Sequence, residues 1–400
     1  MSGTKRVLIV GNSAAGTSAA EAVRQRDRTA EVKIIGAEPH LAYHRPRLTY
    51  VLGKSVTVDT FLLHPREWYV ERDIEVLTGR KVVGGGAGYV GDDTGSRHDY
   101  DALVLATGGM SSVPPLPGGD LLGVFSLRTY ADLKAIESYS AEKRRVAIIG
   151  GGLLGLEAAW SFRQWGKEVS VLERGAGLLK NQLDEGGMKA IDRIVASKGV
   201  DVIYTADTAC IAGDGKAGGI VLKDSREIDC DIVLLSTGVR SDVALAKALG
   251  LKVVRGIVVD ERMSAAEGIF AAGDAAEFNG KVMGAWPVAT EQGRVAGENA
   301  VGGQATYQEL VPSNTTMVMG ATVFSAGDAG RGEGPYKTLE SSDGDQDYKK
   351  LYFRDQRLVG AILIGGARKA LKVKALVDRG ADLPAQMLKH VSANSFLDAL

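Results

Sequence analysis

Two short glycine-spaced segments carry the strongest chemical signal in this 400-residue chain. The first is Gly11-x-Ser13-x-x-Gly16 and the second Gly150-x-Gly152-x-x-Gly155. Each follows an apolar run, Val7 to Val10 and Val146 to Ile149, and each opens a helix-forming stretch. That order predicts strand, tight turn and helix, twice. A helix N-terminus offers free N–H groups and partial positive charge to a pyrophosphate. The leading glycine permits the turn, and the last lets the helix lie close to the sheet. Ser13 stands where the usual spacing has its second glycine, and a small hydroxyl there still lets the backbone approach phosphate. Beyond each turn a second strand, Val32 to Ile35 or Glu168 to Leu172, runs out at an acid, Glu38 or Glu173. Each acid falls about 20 residues past its turn, where a carboxylate can accept hydrogen bonds from ribose hydroxyls. Glu173 favours an unphosphorylated ribose, and so NAD(H) over NADP(H), whereas Arg174 beside it offers a cation to a 2′-phosphate. Two such units can hold two dinucleotides at once, which suits a relay between a nicotinamide and a flavin.

Other elements must position these turns. Asp101 to Gly109 reads as a buried strand running into glycines, and Cys230 to Val239 repeats its pattern of acidic start, apolar strand and Thr-Gly end. Glu267 to Phe278 is a further strand ending at Gly273-Asp274, with a helix around Thr290 to Ala300. Gly84 to Gly95 carries turn signals suited to a short β-meander. HPREWYVERD and Tyr130 to Tyr139 read as helix-like, and Ser112 to Gly119 as a Pro/Gly-rich boundary. The tail has strands at Lys349 to Phe353 and Leu358 to Ile364, a loop at Ser341 to Asp347, and helices to its end. The expected fold class is α/β: two Rossmann-like three-layer nucleotide-binding domains, one inserted in the other, plus a C-terminal α+β domain. The first would cover residues 1–112 and 243–312, the insertion 113–242 and the tail 313–400.

Composition bounds the function. Lys and Arg number 48 against 49 Asp and Glu, so nothing favours nucleic acid or a membrane surface. No apolar run reaches the roughly 18 residues that a membrane helix needs. Lys5-Arg6 and the apolar run after it superficially resemble a signal peptide, but the glycine spacing and the amphipathic Ala20 to Arg24 argue for strand and helix. Two cysteines, Cys210 and Cys230, imply no disulfide framework and fit a reducing cytoplasm.

At this point the chain resembles the two-dinucleotide-binding flavoprotein reductases of the pyridine-nucleotide oxidoreductase class. The resemblance covers residues 4–310 and rests on motifs in order: the first glycine turn, Ala106-Thr107-Gly108, the second glycine turn, Ser236-Thr237-Gly238, and Gly273-Asp274. AYHRPRL with WYVERDIEV looks like NADH:rubredoxin oxidoreductases and the flavin portion of nitrite reductase large subunits. The resemblance implies FAD in the first unit, held by Gly11, Ser13, Ala14, Gly16, Glu38, Arg45, Pro46 and Ala106 to Gly108. Asp274 matches the aspartate on the flavin ribityl chain, and Gly273 would start a helix that aims N–H groups at the pyrophosphate. Trp286, Pro287, Ala289 and Gln292 match the segment near the pyrimidine edge of the flavin. NADH would meet Gly150, Gly152, Leu153, Leu154, Gly155, Glu173, Arg174, Thr237 and Gly238. Glu157 matches an acid close to nicotinamide and flavin and is the candidate catalytic residue. No side chain need act as acid, base or nucleophile when a hydride moves from nicotinamide C4 to flavin N5. Many ferredoxin reductases place Ser-Lys after the RPxL segment, the lysine pairing with that acid. Here Thr49-Tyr50 stand there, so no Lys–Glu pair is expected.

Related enzymes route electrons through a cysteine pair or a single reactive cysteine, but this chain has no Cys before Cys210. The flavin would therefore pass electrons directly to a small iron protein, a rubredoxin or ferredoxin, or to an iron–sulfur partner subunit. An NADH oxidase or diaphorase using oxygen, and a flavoprotein subunit of a larger complex, remain open alternatives, as do monomer and homodimer. His44 is either a proton donor or a packing residue. His40, His64, His98 and His390 have no metal-ligand spacing, and no metal is expected. Ala367 to Gly380, basic and helix-patterned, either docks an acidic redox protein or is a solvated face.

Overall fold

The computed structural model describes residues 4–400. They form two compact units. One comprises residues up to 47, Val56–Ser112 and Gly238–Glu309, the other Leu48–Ser55, Val113–Thr237 and Leu310–Leu400.

The first unit is built on a six-stranded sheet in the order Ser264–Ala266, Ile269–Ala271, Ala102–Leu105, Arg6–Val10, Glu31–Gly36, Ile74–Thr78. All neighbours are parallel except the first pair. Parallel strands covered on both faces must be apolar throughout, and Val7 to Val10 and Ala102 to Leu105 are all buried. The helix Ala14–Arg26 crosses over between the first two strands in sequence and packs against Trp286–Ala300. Two glycines make that packing close. A Cβ on Gly293 would lie 2.2 Å from the Ala15 carbonyl oxygen, and one on Gly297 2.1 Å from that of Ala19. The Gly293-x-x-x-Gly297 spacing was in the sequence but reads as ordinary helix until its partner is known.

The β-meander is present as Val82–Gly86, Tyr89–Asp92 and Arg97–Asp99. HPREWYVERD is helical only over Arg66–Val70. Asp73, at φ +49°, turns the chain directly into the strand Ile74–Thr78. The strand expected to end at Gly273-Asp274 is Ile269–Ala271, followed by a single 3-10 turn Gly273–Ala275 and a further short strand, Ala276–Phe278. The following helix starts at Trp286, earlier than expected, because Pro287 suits the first turn, where no N–H partner is needed.

The second unit repeats the arrangement. Its parallel sheet runs Val200–Tyr204, Glu168–Glu173, Arg145–Ile149, Ile232–Leu235, Val124–Ser126. Three antiparallel strands, Thr208–Ala212, Gly219–Leu222 and Glu227–Asp229, pack beside it. The tail forms a five-stranded antiparallel sheet in the order Ser313–Val318, Ala321–Gly327, Arg357–Gly365, Tyr348–Arg354, Lys337–Ser341. The helices Ala370–Arg379 and Ala393–Asp398 cover it around Phe324, Leu351, Phe353, Val373 and Phe396. Asp184 ties this sheet to the nucleotide fold. It caps the helix Glu185–Ser197 through the Gly187 N–H, and it accepts the Tyr348 and Tyr352 hydroxyls, both at 2.7 Å.

Gly297→Ala should push the two packed helices of the first unit apart and cost about 1–3 kcal/mol. Thermal unfolding should show a melting temperature lower by several degrees. An unchanged melt would mean that the helix pair tolerates separation.

Candidate functional site

The two glycine turns have the same geometry. Gly11 and Gly150 both sit at φ +118°, which L side chains rarely adopt. A Cβ on Gly11 would lie 1.9 Å from the Ala106 carbonyl oxygen, and one on Gly150 2.2 Å from that of Ser236. A Cβ on Gly16 would meet the Gly11 carbonyl oxygen at 1.9 Å, and one on Gly155 that of Gly150 at 2.1 Å. Each turn is thus wedged between its helix and the end of a neighbouring strand. That contact explains why an Ala-Thr-Gly and a Ser-Thr-Gly sequence accompany the two glycine turns. The N-caps Ser13 and Gly152 make no side-chain cap hydrogen bond. The leading N–H groups of both helices therefore have no side-chain acceptor at the cap and suit an anion. These are cradles that fit a dinucleotide pyrophosphate.

The acids after the second strands are both engaged. Glu38 accepts the Tyr43 hydroxyl on one oxygen and Arg45 on the other, each at 2.6 Å. Glu173 accepts the Gly151 N–H at 2.9 Å and the Gly175 N–H at 2.6 Å, so it spans from the glycine turn to the end of its own strand. Each carboxylate oxygen keeps a second lone pair for a ribose hydroxyl. Arg174 is exposed. Tyr43 as a partner of Glu38 was not found in the sequence, because an i+5 pair across a loop has no periodic signal.

Other site residues gather in the first unit. The Thr107 hydroxyl donates to the Asp242 carbonyl at 2.6 Å, and Gly108, at φ +72°, has open space where a side chain would be. Gly109–Ser111 then pairs with Val239–Ser241, and the Gly238 carbonyl accepts the Ser112 N–H. Gly238 thus falls in the first unit, and Thr237 in the second. Asp274 lies on the 3-10 turn, with its carbonyl taken by the Ser241 hydroxyl. The turn that begins at Gly273 is a single 3-10 turn rather than a helix start, and the Gly273 N–H donates to the carboxamide oxygen of Gln292, which is 3% exposed. Gln292 therefore braces the turn. Ala289 stands near Gly273, where a Cβ on the glycine would lie 3.4 Å from its own. Pro46 lies on the 3-10 turn Arg45–Arg47. Trp286 stacks on His44 with ring centroids 5.6 Å apart, which supports the packing reading of that histidine.

In the second unit, Leu153 and Leu154 form the first turn of the helix Leu153–Gln164. Glu157 follows one turn later, 8% exposed, and its donors are hydroxyls: Thr49 at 2.9 Å, Tyr50 at 2.8 Å, and Thr316. Of these donors, Thr316 was not anticipated. It sits on the first strand of the tail, about 160 residues away in sequence, beyond the reach of motif reading.

The thiols lie apart from these residues. Cys230 is fully buried among Ile211, Ile220 and Leu235, and burial pushes its thiol up to about 12. Cys210, on Thr208–Ala212, is only partly buried. The first unit contains no cysteine. His98 is hydrogen-bonded to Asp92, and His64 stacks on Trp68. Among the described residues no group of His, Cys, Asp or Glu side chains is arranged to hold a metal ion, and no helix is long and apolar enough to cross a membrane.

A fold of two glycine-turn nucleotide units with a separate C-terminal sheet defines a two-nucleotide oxidoreductase. The chain belongs to the pyridine nucleotide-disulphide oxidoreductase family, whose model matches residues 5–293. The model of the rubredoxin NAD+ reductase C-terminal domain matches residues 312–381. It is 34% identical over 369 residues to the assimilatory nitrate reductase electron transfer subunit of Bacillus subtilis, covering 91% of this chain. The chain spans about half, 48%, of that relative's length. It is 30% identical over 388 residues to the NADH-rubredoxin oxidoreductase of Clostridium acetobutylicum, covering 93% of this chain and 94% of the relative. A ferredoxin reductase structure from Rhodopseudomonas palustris shares the fold, with a TM-score of 0.90 at 24% identity over 99% of both chains. Both cysteines of the chain, Cys210 and Cys230, are free and lie in the second unit.

Because burial raises the Cys230 thiol, its thiolate is scarce near neutral pH. Iodoacetamide should leave Cys230 of the native protein unlabelled in peptide mass spectra and label it after denaturation. Rapid labelling of the native protein would contradict its place in the core.

Proposed function

We propose that the chain is an FAD-dependent reductase that oxidises NADH and delivers electrons to a small iron protein of rubredoxin or ferredoxin type. The observation that carries this reading is the pair of matched glycine cradles in a chain whose first unit has no sulfur nucleophile. The name of the Clostridium relative supports a rubredoxin-type acceptor. The B. subtilis relative supports an alternative in which the acceptor is part of a larger complex. The two unbridged thiols support a reducing, cytoplasmic setting.

When bound, the nicotinamide and flavin supply the redox chemistry, a hydride passing from one ring to the other and electrons leaving to the acceptor. The chain's contribution is placement and charge. In the first unit, the N-terminus of Ala14–Arg26 would face the FAD pyrophosphate, and Glu38, itself fixed by Tyr43 and Arg45, would take the adenosine ribose. Asp274 would bind the ribityl chain. The N-terminus of Trp286–Ala300, with Pro287 in its first turn, would stabilise negative charge on the pyrimidine edge. In the second unit, the N-terminus of Leu153–Gln164 would take the NADH pyrophosphate, with Glu173 on the ribose and Arg174 exposed beside it. Glu157 would orient the nicotinamide end of the nucleotide.

Anaerobic mixing of holoprotein with NADH should bleach the flavin band near about 450 nm. Rubredoxin or ferredoxin should restore it faster than oxygen does. No bleaching would rule out the relay, and faster recovery with oxygen would make the chain an oxidase. Glu173→Ala removes the acceptor of two backbone N–H groups as well as that of the ribose. It should weaken NADH binding and narrow the preference over NADPH by about 1–3 kcal/mol. Equal KM values before and after the substitution would overturn the role of Glu173.

A further inference from the structure

The helix Leu153–Gln164 grips the segment Leu48–Ser55 along one face. Glu157, Ser161 and Trp165 are spaced i, i+4, i+8 and so fall on one side of the helix. Glu157 accepts the Thr49 hydroxyl, Ser161 donates to the Thr49 carbonyl at 2.6 Å, and the Trp165 ring lies where a Cβ on Gly53 would come within 2.7 Å. The tail closes the arrangement from another direction. Thr316 alternates with exposed Met317 on Ser313–Val318, so its side chain points inward, and it is 6% exposed. Its hydroxyl donates to the same Glu157 oxygen that takes Tyr50. Thr49, 3% exposed, holds the other oxygen. Burial holds the Tyr50 phenol above its ordinary pKa, so it stays a donor near neutral pH. A carboxylate has about four lone-pair sites, and three are filled by these hydroxyls, which leaves one on the Thr49-bound oxygen for an incoming donor.

We infer that Thr316 of the C-terminal domain is a positioning residue for the nicotinamide end of the bound nucleotide, acting through the orientation of Glu157. The inference rests on the proposed function, which makes the helix Leu153–Gln164 the nucleotide helix. Two hydroxyls from a neighbouring segment and one from the tail fix a buried carboxylate that a lone helix would leave free to rotate. Removing the Thr316 hydroxyl leaves one Glu157 oxygen with Tyr50 alone, and the open lone pair loses its fixed direction. The chemistry selected is a donor-bearing group such as a carboxamide.

The test compares NADH with ADP-ribose, which keeps the pyrophosphate and both riboses but lacks the nicotinamide ring. Thr316→Val should raise the Kd for NADH about tenfold, the scale of one lost hydrogen bond to a charged group. It should leave the Kd for ADP-ribose within about twofold, below the scale of even a neutral hydrogen bond. Thr316→Ser, which restores the hydroxyl, should return NADH binding to the parent value. Tyr50→Phe removes a donor to the same oxygen and should act in the same direction, so the inference stays testable if the valine variant unfolds. Equal losses for NADH and ADP-ribose would reduce Thr316 to a structural tie and overturn the inference, as would no loss for either. A parent protein that binds neither ligand would instead defeat the proposed function.

Discussion

Everything functional in this molecule depends on a backbone reversal too tight for a side chain. At Gly11 and Gly150 the chain leaves a parallel strand and enters a helix at a positive φ, against the carbonyl of a neighbouring strand end. The helix then starts so close to the turn that its third residue, Gly16 or Gly155, also has no room for a Cβ. The N-caps Ser13 and Gly152 make no side-chain cap hydrogen bond to the helix N–H groups. Oriented donors at a helix start are costly to leave without a partner and favourable for a pyrophosphate. The same constraint met twice is what makes this a two-nucleotide protein.

Around each turn the charges are held before any ligand arrives. Glu173 is oriented by two backbone N–H groups, and Glu38 by a phenol and a guanidinium. Such preorganisation spares the side chain the cost of ordering when a ribose binds. In the first unit a further brace, Gln292 on Gly273, fixes the 3-10 turn that carries Asp274. The close helix pair at Gly293 and Gly297 fixes the helix whose N-terminus bears Trp286 and Pro287. Packing and site geometry are one problem here, because the residues that brace the turns are one helix turn from those that would touch the cofactor.

The C-terminal sheet has its own core and could be taken for an appendage. Its polar ties argue otherwise. Tyr348 and Tyr352 converge on Asp184, the cap of a helix in the nucleotide fold. Thr316 reaches Glu157. Glu157 is buried among hydroxyls, which is tolerated only when the donors are complete, and the partly buried Asp184 is met by two hydroxyls, the Gly187 N–H and Lys350. The buried cysteine, by contrast, is a small apolar filler: its surroundings suppress the thiolate that thiol chemistry would need.

The sequence by itself determined what is local and periodic. The two glycine turns, their apolar strands, the acids Glu38 and Glu173, the meander and the tail hairpin could all be read because strands, turns and helix starts impose short-range spacing. The absence of early cysteines was equally plain. Element ends were less legible: the helix at Arg66 stopped at Val70, before the turn at Asp73, and the short strand Ala276–Phe278 after the 3-10 turn was not separated from the one before it. Only the tertiary structure decided the partners. That Gln292 takes the Gly273 N–H, that Tyr43 and Arg45 share Glu38, and that Thr316 completes the hydroxyl shell of Glu157 depend on residues brought together from distant parts of the chain or across loops. Hydrogen-bond partners of that kind follow from where backbones meet in space, and a linear pattern contains no term for that distance.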